Sequence, residues 1–346
     1  MTEPTYIPLR LHTEFSITDG MVRIKKLIAK AQEYGLPALG ISDLMNEFGL
    51  VKFYKACRSA GIKPVGAADV WIGNPNAPDK PFRAMLIIRN DAGYLRLSEL
   101  LTAAYVGKDR NIHHAELNPE WLESGDNSGL ICLSGAHYGE VGVNLLNGNE
   151  DAARAAALKY AAWFPDAFYL ELQRLPERPE WEACVSGSVK LAEELGLPVV
   201  ATHPTQFMSS DDFNAHEARV CIAGGWVLTD KKRPRDFTPS QFFIPPETMA
   251  ERFADLPEAL ENTVEIAKRC NLHITLGKNF LPLFPTPDGL SLDDYLVKLS
   301  NEGLQERMVQ LYPNEAERAE KMPEYQERLD FELNIIIQMK FPGYFL

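Results

Sequence analysis

One unit recurs along the chain and limits its fold more than any other feature: an amphipathic helical stretch, then a glycine with a proline two or three residues after it, then a short apolar run. It appears as residues 24–34 followed by Gly35-Leu-Pro-Ala-Leu-Gly-Ile-Ser42, as 51–60 followed by Gly61-Ile-Lys-Pro-Val-Gly-Ala-Ala-Asp69, and as 188–195 followed by Gly196-Leu-Pro-Val-Val-Ala-Thr-His203. Glycine takes the left-handed cap without steric cost, and a proline just beyond it stops the helix. Further apolar runs at 84–88, 130–133 and 168–172 alternate with helical patterns at 94–104 and 152–162. Such alternation implies a parallel sheet covered by helices. Each run ends in polar residues: Leu11-His12, Ser42-Asp43, Asp69, Ser134, Glu171 to Gln173, and Thr202-His203. In a β/α barrel these ends line one rim, where reactive groups collect. The expected fold class is therefore α/β, a distorted parallel β/α barrel of TIM-like type.

The texture changes after about Gly277. Phe280-Leu-Pro-Leu-Phe-Pro-Thr-Pro-Asp-Gly289 holds too much proline for a helix or an inner strand, which places a boundary here and divides the chain into residues 1–280 and 281–346. Two helical patterns follow, 292–311 and about 315–339, the second with Tyr325, Leu329, Leu333, Ile336 and Ile337 at helical spacing. The last residues, Phe341-Pro-Gly-Tyr-Phe-Leu346, are apolar and aromatic, and they read as the interior of a longer protein.

Composition excludes several functions. With 35 basic and 48 acidic side chains the net charge is −13, which repels a polyanion unless the cations are segregated, so direct DNA binding by this chain is expected to be poor. The compact basic run Lys231, Lys232, Arg233 and Arg235 reads as a solvated loop. The cysteines Cys57, Cys132, Cys184, Cys221 and Cys270 are dispersed and form no C-x-x-C pair, which supports neither a disulfide framework nor a zinc ribbon. No apolar run approaches the ~20 residues of a membrane span. The opening Met1-Thr-Glu-Pro lacks the basic and apolar regions of a secretory signal, so a cytoplasmic location is expected. Gly224-Gly225 lacks the Lys and Ser of a P-loop, and no G-x-S-x-G elbow occurs. His113-His114 reads as a polar loop, and the tryptophans are too scattered for a base-stacking platform.

The most distinctive segment is Leu9-Arg-Leu-His-Thr-Glu-Phe-Ser-Ile-Thr-Asp-Gly20, in which alternation puts Arg10 and His12 on one face of a strand. Together with residues 38–57, 61–72, 130–140, 168–173, 197–202, 212–229 and 257–283, it resembles the polymerase and histidinol phosphatase (PHP) domain that opens the alpha subunit of bacterial DNA polymerase III. Pro257-Glu-Ala-Leu-Glu-Asn-Thr-Val-Glu-Ile-Ala-Lys-Arg-Cys270 and the closing six residues carry the resemblance most specifically. It implies a PHP domain over 1–280, then a linker and the first helices of the polymerase palm over 281–346. It also implies a parent chain that is a DNA-directed DNA polymerase using magnesium, with its catalytic carboxylates beyond residue 346. The implied partners are a separate proofreading exonuclease subunit docked on the PHP domain, the rest of the holoenzyme, and DNA and nucleotides through the remainder of the parent chain. An acidic domain suits a partner segment with basic groups.

Members of the family with an intact site resemble trinuclear metal phosphoesterases. Carried over position by position, the metal-binding pattern is degraded here. His12, Asp19 and Asp43 remain, and Asp69 stands where a longer Glu is expected. Arg10, Leu44, Ala136, Leu175, Pro204 and Gln206 occupy other ligand positions. His137 and His203 each lie one residue from a lost ligand, and a one-residue shift re-aims a strand side chain. The expectation is a structural domain with no metal, no cofactor and no catalytic residue, and a vestigial pocket made of Arg10, His12, Asp19, Asp43 and Asp69. Arg10, permanently charged, is expected to bridge the carboxylates in place of cations. The rival expectation is an active metal-dependent phosphoesterase or proofreading exonuclease, which needs open metal coordination to generate hydroxide.

Overall fold

The left-handed glycines required by the recurring unit are present in the computed structural model, where Gly35, Gly61 and Gly196 have φ of 65°, 74° and 65°. The structure describes residues 4–278 and 280–346; the opening residues read for a leader, Met1 to Glu3, lie outside that set. The chain forms two units, Met1–Ile274 and Thr275–Leu346.

In the first unit the order is α1 (Ile24–Glu33), β1 (Ala38–Leu44), α2 (Leu50–Ser59), β2 (Lys63–Ile72), β3 (Phe82–Ile88), α3 (Asp91–Val106), α4 (Pro119–Ser124) and β4 (Leu130–Leu133). It continues with α5 (Glu140–Leu146), α6 (Glu150–Trp163), β5 (Phe168–Leu172), α7 (Glu182–Leu195), β6 (Val199–Ala201), α8 (Phe213–Gly224), α9 (Pro246–Arg252) and α10 (Pro257–Arg269). The strands lie side by side in chain order. Strands β1 and β2 pair in parallel, as do β4 with β5 and β5 with β6, whereas β3 runs antiparallel to both of its neighbours. The fold class is α/β with a curled mixed sheet, and the all-parallel expectation is corrected at this one strand. The cause is the connection before it. A parallel crossover needs a dozen or more residues, usually a helix. Gly73-Asn-Pro-Asn-Ala-Pro-Asp-Lys-Pro81 has no helix and folds on itself through Ala77 N to Asn74 O at 3.1 Å and Lys80 N to Ala77 O at 2.8 Å.

The curl closes through residues 8–12. On one side Gly40 N and Ser42 N of β1 donate to Pro8 O and Leu11 O at 2.7 and 2.9 Å, and on the other His12 N donates to Thr205 O at 3.0 Å, just past β6. The approach to β1 is close enough that a Cβ on Gly40 would sit 2.3 Å from Leu9 O, so only glycine fits there. Leu9 and Leu11 are fully buried among the strand residues Leu39, Val65, Ile87 and Val200, and the polar residues alternating with them are left at the rim.

The second unit is helical: α11 (Leu292–Leu311), α12 (Glu315–Gln338) and α13 (Pro342–Phe345). Ser291 and Asn314 cap the first two by accepting from backbone N–H groups of the first turn, as short polar residues at that position do. The expected stripe on α12 is its least exposed face, with Leu333 buried and Tyr325, Leu329, Ile336 and Ile337 half-buried. Tyr325 also meets Tyr312, hydroxyl to hydroxyl, at 3.1 Å. No described helix is long and apolar enough to cross a membrane.

Candidate functional site

A cavity of about 410 Å³ opens at the strand ends of the first unit, and Arg10, His12, Asp19 and Asp69 all line it. Arg10 comes from the closing segment 8–12. Its Nε and Nη2 donate to Glu171 Oε1 and Oε2 at 2.7 and 2.9 Å, and its Nη1 donates to Asp69 Oδ2. This forked geometry is what a planar guanidinium offers and an ammonium does not. Arg83, at the start of β3, donates from Nη2 to the same Asp69 oxygen at 2.7 Å while its guanidinium lies 4.7 Å from the centre of the Trp71 ring. His12 bridges two carboxylates, with Nε2 3.0 Å from Asp69 Oδ2 and Nδ1 2.9 Å from Asp19 Oδ2. Glu171, on β5, also accepts from Gly135 N and Gln173 Nε2, each at 3.1 Å, and from Thr202 Oγ1. Burial is nearly complete: Arg10 is 5% exposed, Asp69 0% and Glu171 1%.

Buried charges persist only when paired. Burial works against the His12 imidazolium, but the Asp19 and Asp69 carboxylates outweigh it and hold the ring up at about 9, so both nitrogens donate at neutral pH. Burial likewise opposes ionisation of Asp69, and the Arg10 and Arg83 guanidinium groups overcome it and hold the carboxyl well below its usual range. Asp19 is lowered in the same way by His12 against the burial that would raise it. Three carboxylates, Asp19, Asp69 and Glu171, thus face three cations, Arg10, Arg83 and His12, and the cluster is neutral.

This arrangement does not fit a metal cluster. Both Glu171 oxygens and Asp69 Oδ2 already accept from guanidinium donors, and an added divalent ion would sit beside two permanent positive charges. Among the described residues no group of three or more His, Cys, Asp or Glu has metal-binding geometry.

The structure redistributes the expected residues. Asp43 does not line the cavity. Its carboxylate accepts from Thr13 N at 2.6 Å, Thr13 Oγ1 at 2.8 Å and Ser16 Oγ at 3.2 Å, so it fixes the turn at Glu14–Ser16 that carries the chain from His12 towards Asp19. Arg83 and Glu171 complete the cluster although neither belongs to the expected pocket set. Of the replaced ligand positions, Leu44, Pro204 and Gln206 face the cavity, and Gln206 Nε2 lies 3.3 Å from His12 Nδ1. His137 sits on the short turn Ala136–Tyr138 and not on a strand, and it lines the cavity with its ring stacked 3.5 Å from Trp181. Burial, reinforced by Arg83 and Arg10, pushes its pKa down to about 3, which leaves the ring neutral. His203 turns away, 2.9 Å from Phe242 O. Trp71 and Trp181, scattered in sequence, both line the cavity.

The basic run is exposed at Lys231, Lys232 and Arg235, as expected, and corrected at Arg233 alone. Arg233 is buried, and its Nη1 donates to Glu217 of α8, itself buried. This ion pair pins the irregular stretch 225–241, whose Asp236, Phe237 and Gln241 cover one side of the cavity. Removing one partner of a buried pair leaves the other uncompensated. Arg233→Ala is therefore expected to speed tryptic cleavage after Lys231 and Lys232 by about tenfold, equivalent to ~1.4 kcal/mol of easier local opening. An unchanged rate would show that the pair does not hold the stretch down.

Comparison with known proteins gives consistent matches. Residues 8–175 match the family described as PHP domain, and residues 294–346 match the one described as Bacterial DNA polymerase III alpha NTPase domain. Over 346 residues the chain is 97% identical to DNA polymerase III subunit alpha of Neisseria meningitidis serogroup A, covering 100% of this chain and 30% of the relative. It is 46% identical over 346 residues to the subunit of the same name from Escherichia coli K12, again covering 100% of this chain and 30% of that relative. A solved amidohydrolase from Chromobacterium violaceum aligns with a TM-score of 0.33 at 12% identity, over 62% of this chain and 96% of that one. The chain thus spans about 30% of the length of the curated relatives it matches.

Proposed function

Since the chain belongs to the DNA polymerase III alpha subunit family, within which it comprises a PHP domain and the start of the polymerase domain, we propose that its first unit is a structural, metal-free PHP domain of a replicative DNA polymerase. The observation that carries this reading is the Arg10 fork, which places a permanent cation at a former ligand position and binds it to Asp69, a carboxylate that a metal cluster would use, and to Glu171. In this reading residues 1–280 form the domain, and 281–346 lead into the polymerase palm. DNA, nucleotides and catalytic magnesium are handled by the remainder of a polymerase working in the cytoplasm. The domain serves as a platform for the proofreading exonuclease subunit and for the other parts of the holoenzyme.

The chemistry follows from the cluster. Hydrolysis of a phosphoester at neutral pH needs a metal-bound water of lowered pKa and an open coordination position. The carboxylates here are bound to donors instead, and His12 is held between two of them with both nitrogens donating. In this reading none of the cluster's own residues, Arg10, His12, Asp19, Asp69 and Glu171, serves as a general base or holds a nucleophile. The protein is expected to show no phosphatase or exonuclease activity with zinc or manganese, and neither ion should raise its melting temperature. A shift that saturates at stoichiometric metal, following the binding linkage RT ln(1 + [L]/Kd), would overturn the metal-free reading.

A further inference from the structure

Eight consecutive residues, Ile222 to Thr229, are exposed, and most are apolar. Ile222 is 82% exposed, Val227 67%, Leu228 45% and Trp226 40%. Single exposed apolar residues are ordinary, but a contiguous group on one surface is the mark of a contact site. The group is also rigidly built. Gly225 takes the left-handed cap of α8 at φ 69°, Trp226 N donates to Cys221 O at 2.8 Å, and the buried pair Glu217–Arg233 anchors the chain seven residues further on. A surface ordered in advance binds at lower entropic cost.

The same pin sorts the basic run. Arg233 points inward, while Lys231, Lys232 and Arg235 stay exposed beside the apolar group. The nearby Asp230 carboxylate is taken up by Lys232 N at 2.8 Å, closing a turn. An apolar strip edged by cations is complementary to an apolar strip edged by carboxylates. The aliphatic majority is wrong for nucleic acid, which wants successive aromatic faces, and the chain's net charge of −13 opposes a polyanion.

From these features we infer that the end of α8 and the stretch after it, residues 222–235, form the docking surface for an acidic amphipathic segment of a partner protein. The inference rests on the reading that the domain docks a partner subunit, and it places the partner's local charge opposite to what the net charge of the chain alone would select.

The test uses the full-length polymerase alpha subunit on a biosensor with purified proofreading exonuclease subunit as the probe. Two variants, Val227→Asp with Leu228→Asp and Lys231→Glu with Lys232→Glu, alter only exposed side chains, and unchanged melting temperatures will verify that they fold. Each is expected to weaken binding at least tenfold, and the charge swap should also remove the weakening of wild-type binding by salt. If wild type does not bind the subunit, the docking reading itself fails. If wild type binds and both variants bind equally well, the docking reading stands and this surface is wrong. Variants that lose only affinity for a single-stranded oligonucleotide, or only self-association in sedimentation, would overturn the inference in favour of those occupants.

Discussion

Replacing Arg10 with alanine is expected to destabilise the domain by about 3 to 5 kcal/mol, the cost of breaking one side of a buried ion pair. Asp69 would keep Arg83 and His12, so the loss falls mainly on Glu171. Its remaining partners, Gly135 N, Gln173 Nε2 and Thr202 Oγ1, are neutral donors and cannot balance a charge buried to 1% exposure. Arg10→Lys keeps the charge and loses the fork, so it should fall between alanine and wild type. Glu171→Gln, combined with Arg10→Ala, should show strong coupling, because each single change strands the other partner. Urea unfolding measures all of these. If Arg10→Ala unfolded at the wild-type midpoint with the wild-type slope, the guanidinium would be doing no more than a surface residue does, about 0.5 kcal/mol or less.

The second large effect is alkaline loss of stability. His12 is held up at about 9 in the folded protein against an ordinary value near 6.5, because Asp19 and Asp69 outweigh its burial. A group raised on folding stabilises fully below its unfolded pKa, and the contribution disappears as pH rises through the folded one. Going from 6.5 to about 9 corresponds to about 3 kcal/mol. The domain should therefore weaken between about pH 6.5 and 9 by that order. Asp19 and Asp69 have the opposite sign: lowered on folding, they stabilise above about 3.9 and lose that contribution only as pH falls through their folded values. Urea unfolding from pH 6 to 9.5 will trace the alkaline limb. His12→Gln should be less stable at pH 6 and should lose most of the decline between about pH 7 and 9, whereas a wild-type protein that is flat over that span would count against a charged imidazole.

Local chemistry made much of this fold legible. Glycine followed closely by proline marked the ends of α1, α2 and α7 and the starts of β1, β2 and β6, because the left-handed cap and the missing N–H act within a few residues. The reversal of β3 was also written locally, in the proline-dense residues 73–81, which are too few for a crossover. The hydrophobic pattern alone does not carry it, because an apolar run has no direction. That reversal puts Arg83, at the beginning of a strand, on the rim where the other strands end. The partner of Arg10 was hidden for a different reason. Glu171 lies 161 residues away, and only the closed sheet brings the two together. The place of Asp43 is not legible in the sequence, because its chemistry suits a metal and a turn equally well and the hydroxyls of Thr13 and Ser16 decide the matter. Arg233 read as solvated because its buried partner lies on α8, at another point of the chain.

Residues 8–12 have a kinetic meaning as well as an architectural one. They are synthesised almost 200 residues ahead of Thr205, and the hydrogen bond from His12 N to Thr205 O cannot form until the chain has grown past that point. At ordinary translation rates of 5–20 residues per second that is a delay of roughly 10 to 40 s. Until then Leu9 and Leu11, fully buried in the finished domain, lack the far wall of their packing, and Arg10 has no Glu171 to bind until β5 has emerged. Long-range closure of this kind is slow and leaves apolar surface open in the meantime. The stretch that closes the sheet is thus made long before it can settle, so its apolar side chains wait on the synthesis of their partners.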